Sequence, residues 1–341
     1  MVTTGDNAGP VLTPPFPIAD LIESQRALLL QTPSHQSSFR ELLAAGLPPL
    51  ANNTIFSVIL GISPKLLYAM AHVPERYYRE FSIKKKSGGT RQIATPRVFL
   101  KTVQKWILLN ILYREELPSF VTGFVRKRGI LANARIHKGR KYLAKVDLAD
   151  FFPTVSFSQV LGVYRQFGFP RDVRTLLSGL STLRGHLPQG APTSPFLANL
   201  VFLPADKKIE SRAISGAISY SRYADDLTFS SDKPISKGFL EYVEATVLRA
   251  GFRINKTKSR ESGPGQRLIT TGLVVNEKVH PPRRLRRQLR ARFHQAANHP
   301  SRFKKSANEL LGWAAYVHMY DPSLGDDYLK IARKVLGQDR A

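Results

Sequence analysis

The spacing of apolar residues changes period several times along the chain, and each change marks an element. Residues 19–50 carry Leu21, Leu28, Leu29, Leu42 and Leu43 at helix-like intervals broken by Pro33 and Pro48, which predicts short helices. From Tyr77 a strand runs through Phe81 and Ile83, turns at Ser87-Gly88-Gly89 and returns through Thr90-Arg91-Gln92-Ile93 as a β-hairpin. After Pro96, the residues Phe99, Val103, Trp106, Ile107, Asn110 and Ile111 recur at i, i+3, i+4, the stripe of an amphipathic helix expected to be core. Residues 142–148 read as a buried strand, 187–195 as a Pro-Gly loop opening into a helix, and 218–229 as a second hairpin. A helix over about 235–250 stops at Gly251, a strand follows, and a strand pair meets near 269–275. Leu285, Leu289 and Phe293, then Leu310, Leu311, Trp313, Tyr316 and Val317, predict a small helical bundle at the end.

Composition narrows the class. Apolar residues make up 43% of the 341, enough to bury a core. Lys and Arg number 51 against 25 Asp and Glu, a net charge of +26, which favours a polyanionic partner: nucleic acid first, an anionic membrane second. No run of about 18 apolar residues is present, so no transmembrane helix is expected. With no cysteine, disulfides and thiolate metal sites are excluded. No secretory signal is visible, and a cytoplasmic protein is expected. Residues 1 to about 18, rich in Pro, Thr and Gly, predict a flexible leader.

The candidate chemistry lies at turns and strand ends. The second hairpin carries Tyr223-Ala224-Asp225-Asp226 at its corner. Adjacent carboxylates repel unless cations lie between them, which suits a pair of Mg²⁺ ions and phosphoryl transfer; the alternative is a solvated turn. Asp147 ends the apolar strand, where an unpaired carboxylate is costly to bury, and either a metal or a helix N-cap resolves that cost. The first hairpin carries Lys84, Lys85, Lys86 and Arg91, a solvated basic turn or a triphosphate clamp. Gly190 lets backbone approach a ligand closely, with Gln189 offering a donor and an acceptor beside it. Asn133 and His137 stand four apart, on one face if helical. Between Glu277 and Glu309 there is no acid, and Arg283, Arg286, Arg287 and Arg290 lie among six arginines over 283–292, which suggests contact with phosphates.

In order, a Lys-Lys-Lys…Arg hairpin, a strand-end Asp followed by Phe151-Phe152, a Gln-Gly loop, a Tyr-x-Asp-Asp hairpin and Gly-x-x-x-Asn-x-x-Lys (251–258) closely resemble the reverse transcriptases from about Tyr77 to Val275. Within them the chain resembles the bacterial retron type, because Asn133-Ala134-x-x-His137 matches its insertion before the first catalytic strand. Thr270-Thr271-Gly272 departs from the usual Val-Thr-Gly of that type. The Gln189-Gly190-x-x-x-Ser194-Pro195 loop is shared with group II intron enzymes, but about 60 residues after the palm are too few for a maturase extension.

The resemblance implies an α+β fold of right-hand polymerase type: fingers, a palm with an antiparallel sheet and a small helical thumb. It divides the chain into an N-terminal extension (1–50), fingers and palm (51–278) and a duplex-binding thumb (279–341). It implies an RNA-directed DNA polymerase in which Asp147, Asp225 and Asp226 hold two Mg²⁺ ions. Lys85 and Arg91 would grip the dNTP triphosphate, and Gln189, Gly190 and Phe151 would line the nucleotide pocket. Phe152 would exclude a 2′-hydroxyl, Lys258 (or Lys256) would protonate pyrophosphate, and Tyr223 with Ala224 would pack beneath the primer terminus. Asn133, His137, Thr271 and Gly272 are expected at RNA-specific contacts, and the Arg283–Arg290 face on the template–primer duplex. The implied partners are a cognate structured noncoding RNA, its RNA–DNA product, dNTPs and a retron effector protein, with a role in antiphage defence. The alternatives are a group II intron-like reverse transcriptase, an RNA-dependent RNA polymerase and a non-catalytic RNA-binding protein.

Overall fold

The computed structural model describes residues 33–84 and 88–337. Its strands are β1 (Tyr78–Lys84), β2 (Thr90–Pro96), β3 (Tyr142–Ala149), β4 (Ser219–Tyr223), β5 (Asp226–Ser231), β6 (Arg253–Ile254), β7 (Arg260–Ser262), β8 (Ile269–Thr270) and β9 (Leu273–Val274), of which β7 alone is not expected from the sequence. The chain divides into two compact units, each built from three segments. The C-terminal helices fall in the same unit as the second hairpin.

Among the described residues, the first unit comprises 33–84, 88–118, 148–208 and 245–253. It holds the antiparallel β1–β2 hairpin and the helices Asn53–Leu60, Pro64–His72, Val98–Asn110, Phe157–Gln166 and Arg171–Ser181. Side-chain caps start several of these helices: Ser156 and Gln159 form a reciprocal capping box at Phe157–Gln166, and Asn52 caps Asn53–Leu60. Buried Gln104 ties the unit together by donating to the Tyr78 hydroxyl and the Leu180 carbonyl, both at 2.7 Å. Val103, Trp106 and Ile107 are core as the stripe predicts, but Phe99 is 62% exposed. It lies in the first turn of its helix with exposed Val98, while Leu100 in the same turn is fully buried, so Phe99 faces away from the side that packs.

Among the described residues, the second unit comprises 119–147, 209–244 and 254–337. Its main sheet runs β4-β5-β3-β6, with β7 also pairing with β3. β4 and β5 form the hairpin, and β3 pairs antiparallel with β5 from Tyr142↔Ser231 to Asp147↔Asp226. The two-residue alternation of strands gives this sheet two unlike faces. Tyr220, Leu227, Phe229, Ala144 and Val146 point one way; Tyr220 stacks on Phe229, which meets Phe239 edge-on. Ser221, Tyr223, Asp226, Thr228, Ser230, Lys145 and Asp147 point the other way.

The predicted C-terminal bundle is present as Arg283–Asn298, Ala307–Tyr320 and Pro322–Leu336, around Leu289, Phe293, Leu310, Val317, Tyr328 and Val335. Phe293 and Tyr328 stack at 3.9 Å between centroids. A Cβ at Gly325 would lie 2.2 Å from the His318 backbone, so only glycine permits this helix approach. No single described helix is long and apolar enough to cross a membrane.

Candidate active site

The hairpin turn is two residues long, Ala224-Asp225, between Tyr223 and Asp226 in register. A tight hairpin of this length needs a positive φ at its first central residue, and Ala224 adopts +59°. Asp226 opens β5, and Asp147 sits directly opposite it on β3. Directly opposed residues have Cβ atoms about 5 Å apart. Two carboxylates therefore face each other on one side of the sheet, and the third occupies the adjoining turn. Asp147 is 8% exposed, and Asp225 and Asp226 are half-buried.

Cations answer this charge. Lys258 donates to both oxygens of Asp147, at 3.0 and 3.3 Å. Lys145, two residues before Asp147 on the same face of β3, lies 3.6 Å from Asp226. Burial, with the like charges of Asp147 and Asp226, raises the pKa of Asp225. The bond to Asp147 raises that of Lys258. The turn between Asn255 and Lys258 is fixed to β3, because Asn255 N–H donates to the Asp147 carbonyl at 2.7 Å.

Among the described residues no three acids or imidazoles are gathered as ready metal ligands. The donor set still fits a hard divalent cation: two carboxylates opposed on neighbouring strands and a third in the adjoining turn, already balanced by ammonium groups standing in for positive charge. Lys258 holds both oxygens of Asp147, so a metal there would displace it.

The model of the family described as reverse transcriptase (RNA-dependent DNA polymerase) matches residues 83–279. The chain is 36% identical to the retron Mx162 reverse transcriptase of Myxococcus xanthus, over 84% of this chain and 67% of that protein. It is 33% identical to the retron Ec86 reverse transcriptase of Escherichia coli, over 86% of this chain and 91% of that protein. It belongs to the retron reverse transcriptases. The Mx65 enzyme of M. xanthus is 34% identical, over 86% of this chain and 73% of that protein. Its fold is the right-hand reverse transcriptase fold, its activity RNA-directed DNA polymerisation and its template RNA. Polymerisation by this family uses divalent metal ions.

The other predicted site residues of this reverse transcriptase fall into two groups. In the first unit, the Ala94 amide on β2 donates to the Gln189 carbonyl at 2.9 Å. Gly190 has φ +132°, and a Cβ there would lie 2.8 Å from the Ala94 carbonyl, so the loop rests on the hairpin strand that carries exposed Arg91. Lys85 lies outside the described residues. Phe152 is half-buried, but Phe151 is 4% exposed, packed against Phe202 and Phe252. The nucleotide-pocket role expected for Phe151 is therefore corrected to core: of the two neighbours, one ring faces in.

In the second unit, Asn133 and His137 are corrected too. Both are expected against RNA, yet both are fully buried. The Asn133 side-chain carbonyl accepts from Ser221 Oγ (2.6 Å) and Thr122 Oγ1 (2.9 Å), and its amide donates to Thr270 Oγ1 (2.9 Å). His137 bridges Ser221 and Ser230 at 2.7 Å each. With the Ser221 proton given to Asn133, His137 Nε2 donates to Ser221 and Nδ1 accepts from Ser230. Burial, then the charge of Arg140, pushes the His137 pKa down to about 3, so the ring is neutral. The pair braces the polar face of the hairpin behind the acids. Thr271 and Gly272 form the β8–β9 turn, with φ of +47° and +81°, and Gly272 is exposed. Arg283, Arg286, Arg287 and Arg290 are all exposed on their helix, opposite buried Leu289 and Phe293. Sequence reasoning missed Lys145, whose signal was its place two residues before Asp147. It also missed Gly123, whose Cβ would fall 2.3 Å from the Ala224 amide nitrogen.

Proposed function

We propose that this enzyme reverse transcribes a cognate structured RNA into branched, multicopy single-stranded DNA, starting from the 2′-hydroxyl of an internal guanosine. The observation carrying the catalytic part is the register of Asp147 against Asp226 with Asp225 in the adjoining turn. Two Mg²⁺ ions held by these acids would lower the pKa of the attacking hydroxyl and neutralise the pyrophosphate leaving group. The hydroxyl oxygen forms a bond to the α-phosphorus of the dNTP, and the bond to pyrophosphate breaks. The protein's share is positioning and charge. Arg91 and Lys85 grip the triphosphate; Gln189 and Gly190 line the base and sugar pocket; Phe152 denies room to a 2′-hydroxyl on the incoming nucleotide. Tyr223 and Ala224 support the primer terminus. Lys258 donates a proton to pyrophosphate. Its ion pair with Asp147 makes it a weak acid, so it serves only once that carboxylate is otherwise neutralised.

The arginine face of helix Arg283–Asn298 follows the template–primer duplex through its phosphates and shape, in the role of a thumb. The exposed β8–β9 turn at Thr271-Gly272 meets the cognate RNA. The enzyme works in the cytoplasm, where the transcript is made, alongside an effector protein in antiphage defence. Sequencing the nucleic acid that copurifies with the protein tests this reading. One RNA species joined through a 2′–5′ branch to a DNA of defined end supports it; unbranched DNA, or RNA without DNA, overturns the branched product.

A further inference from the structure

The largest fully buried side chain in the described structure is a charged one, Arg222 on β4. It lies on the apolar face of the hairpin, opposite Leu227, where an arginine is out of place by burial preference. A guanidinium stays protonated even when buried, and burying it is costly unless its donors are bonded. Its Nη1 donates to the carbonyl of Ala224 at 3.1 Å. That carbonyl belongs to the peptide linking Ala224 to Asp225, the first central peptide of the hairpin turn. Holding it fixes the plane from which the Asp225 side chain departs.

The backbone of Arg222 is itself clamped. Its N–H donates to the Phe120 carbonyl at 2.8 Å, and its carbonyl accepts from the Thr122 amide at 2.9 Å. Arg128 holds the same segment by donating to the Val121 carbonyl at 2.8 Å. One residue further, Gly123 passes so close to the turn that no Cβ fits. The turn is thus gripped from within by the guanidinium and from its flank by residues 120–123. This matters because Ala224 holds a left-handed φ, which costs a non-glycine residue about 1–2 kcal/mol and persists only when surroundings over-determine it.

We infer that Arg222 is a positioning residue for DNA synthesis: through the Ala224 carbonyl it sets the orientation in which Asp225 is presented to the divalent cation and the reacting phosphate. The inference rests on the assignment of Asp225 to the metal site. The charges that shift the Asp225 carboxyl come from Asp147, Asp226 and Lys258, so Arg222 acts by geometry through the peptide it bonds.

Arg222→Lys keeps the charge and loses the planar fork; Arg222→Met keeps much of the volume and loses both. Full-length protein of each is compared with wild type by thermal unfolding, by RNA template–primer binding, by single-turnover dNTP incorporation over a range of dNTP, and by electron paramagnetic resonance titration with Mn²⁺. A displacement of the acid by about 1 Å is expected to lower the maximal incorporation rate about 100-fold. Template–primer affinity and the dNTP concentration for half-maximal rate should stay within about twofold, and Mn²⁺ should bind at least about fivefold more weakly. A folded Arg222→Lys or Arg222→Met protein with wild-type rate and wild-type Mn²⁺ affinity overturns the inference. So does failure of both variants to fold, which assigns Arg222 to stability alone. Asp225→Asn run in parallel separates the two levels: if it too retains full rate and Mn²⁺ affinity, the metal assignment has failed, not merely the positioning role.

Discussion

His137 makes folding sensitive to acid in a way that can be worked out. Its imidazole is buried, bonded to Ser221 and Ser230, and titrates at about 3 when folded against 6.5 when free. Between those values the unfolded chain binds a proton that the folded chain does not, so stability falls as pH falls through that window. From pH 7.5 to pH 5 the loss from this one group is about 2 kcal/mol, since each unit is worth about 1.4 kcal/mol below the free value. Other groups titrate over the same range, and His137→Gln isolates the term. Equilibrium urea unfolding of wild type and His137→Gln, followed by tryptophan fluorescence at both pH values, is the assay. At pH 7.5 the variant should be less stable by about 1–3 kcal/mol, because a bonded buried group is replaced imperfectly. At pH 5 that gap should shrink by about 2 kcal/mol. An equal gap at both pH values would refute the reasoning and show that the ring accepts a proton in the folded state.

Other outcomes follow from the same geometry. Phe151→Ala should destabilise the protein by about 3–5 kcal/mol in thermal or chemical unfolding, because its ring fills an aromatic cluster. Phe152→Ala should leave stability nearly unchanged and narrow the preference for dNTP over rNTP in incorporation assays; an unchanged preference removes Phe152 from the sugar pocket. Arg286→Ala with Arg290→Ala should lower the slope of log affinity against log salt by about 2 in RNA–DNA duplex binding, one per lost phosphate contact; an unchanged slope takes that face off the duplex.

Much of this fold was legible in the sequence because local rules agree with tertiary ones. The hairpin around Asp225 and Asp226, the strand carrying Asp147 and the arginine-faced helix each combine a clear period with turn or cap chemistry, and each appears, the strand running on past Asp147 to Ala149. Where the reading failed, the deciding fact was which way a side chain faces. Asn133 and His137 looked like surface polar residues, but partners far along the chain, at Ser221, Ser230 and Thr270, satisfy them internally. Phe151 and Phe152 are alike in sequence and differ only in burial. Phe99 sits in the same helical turn as fully buried Leu100 but on the side that is not covered. The grouping of the C-terminal bundle with the hairpin also depends on distant contacts: Tyr316 and Met319 pack against Ala134, Leu143 and Leu268.

The central claim is that Asp147, Asp225 and Asp226 act together as the metal-binding centre of an RNA-templated DNA polymerase. Single-turnover dNTP incorporation on an RNA template by Asp225→Asn/Asp226→Asn, with RNA affinity measured on the same preparation, tests it most directly. Incorporation should fall by at least about 1,000-fold while RNA affinity stays within about threefold. Extension at near the wild-type rate by the double variant would contradict the account.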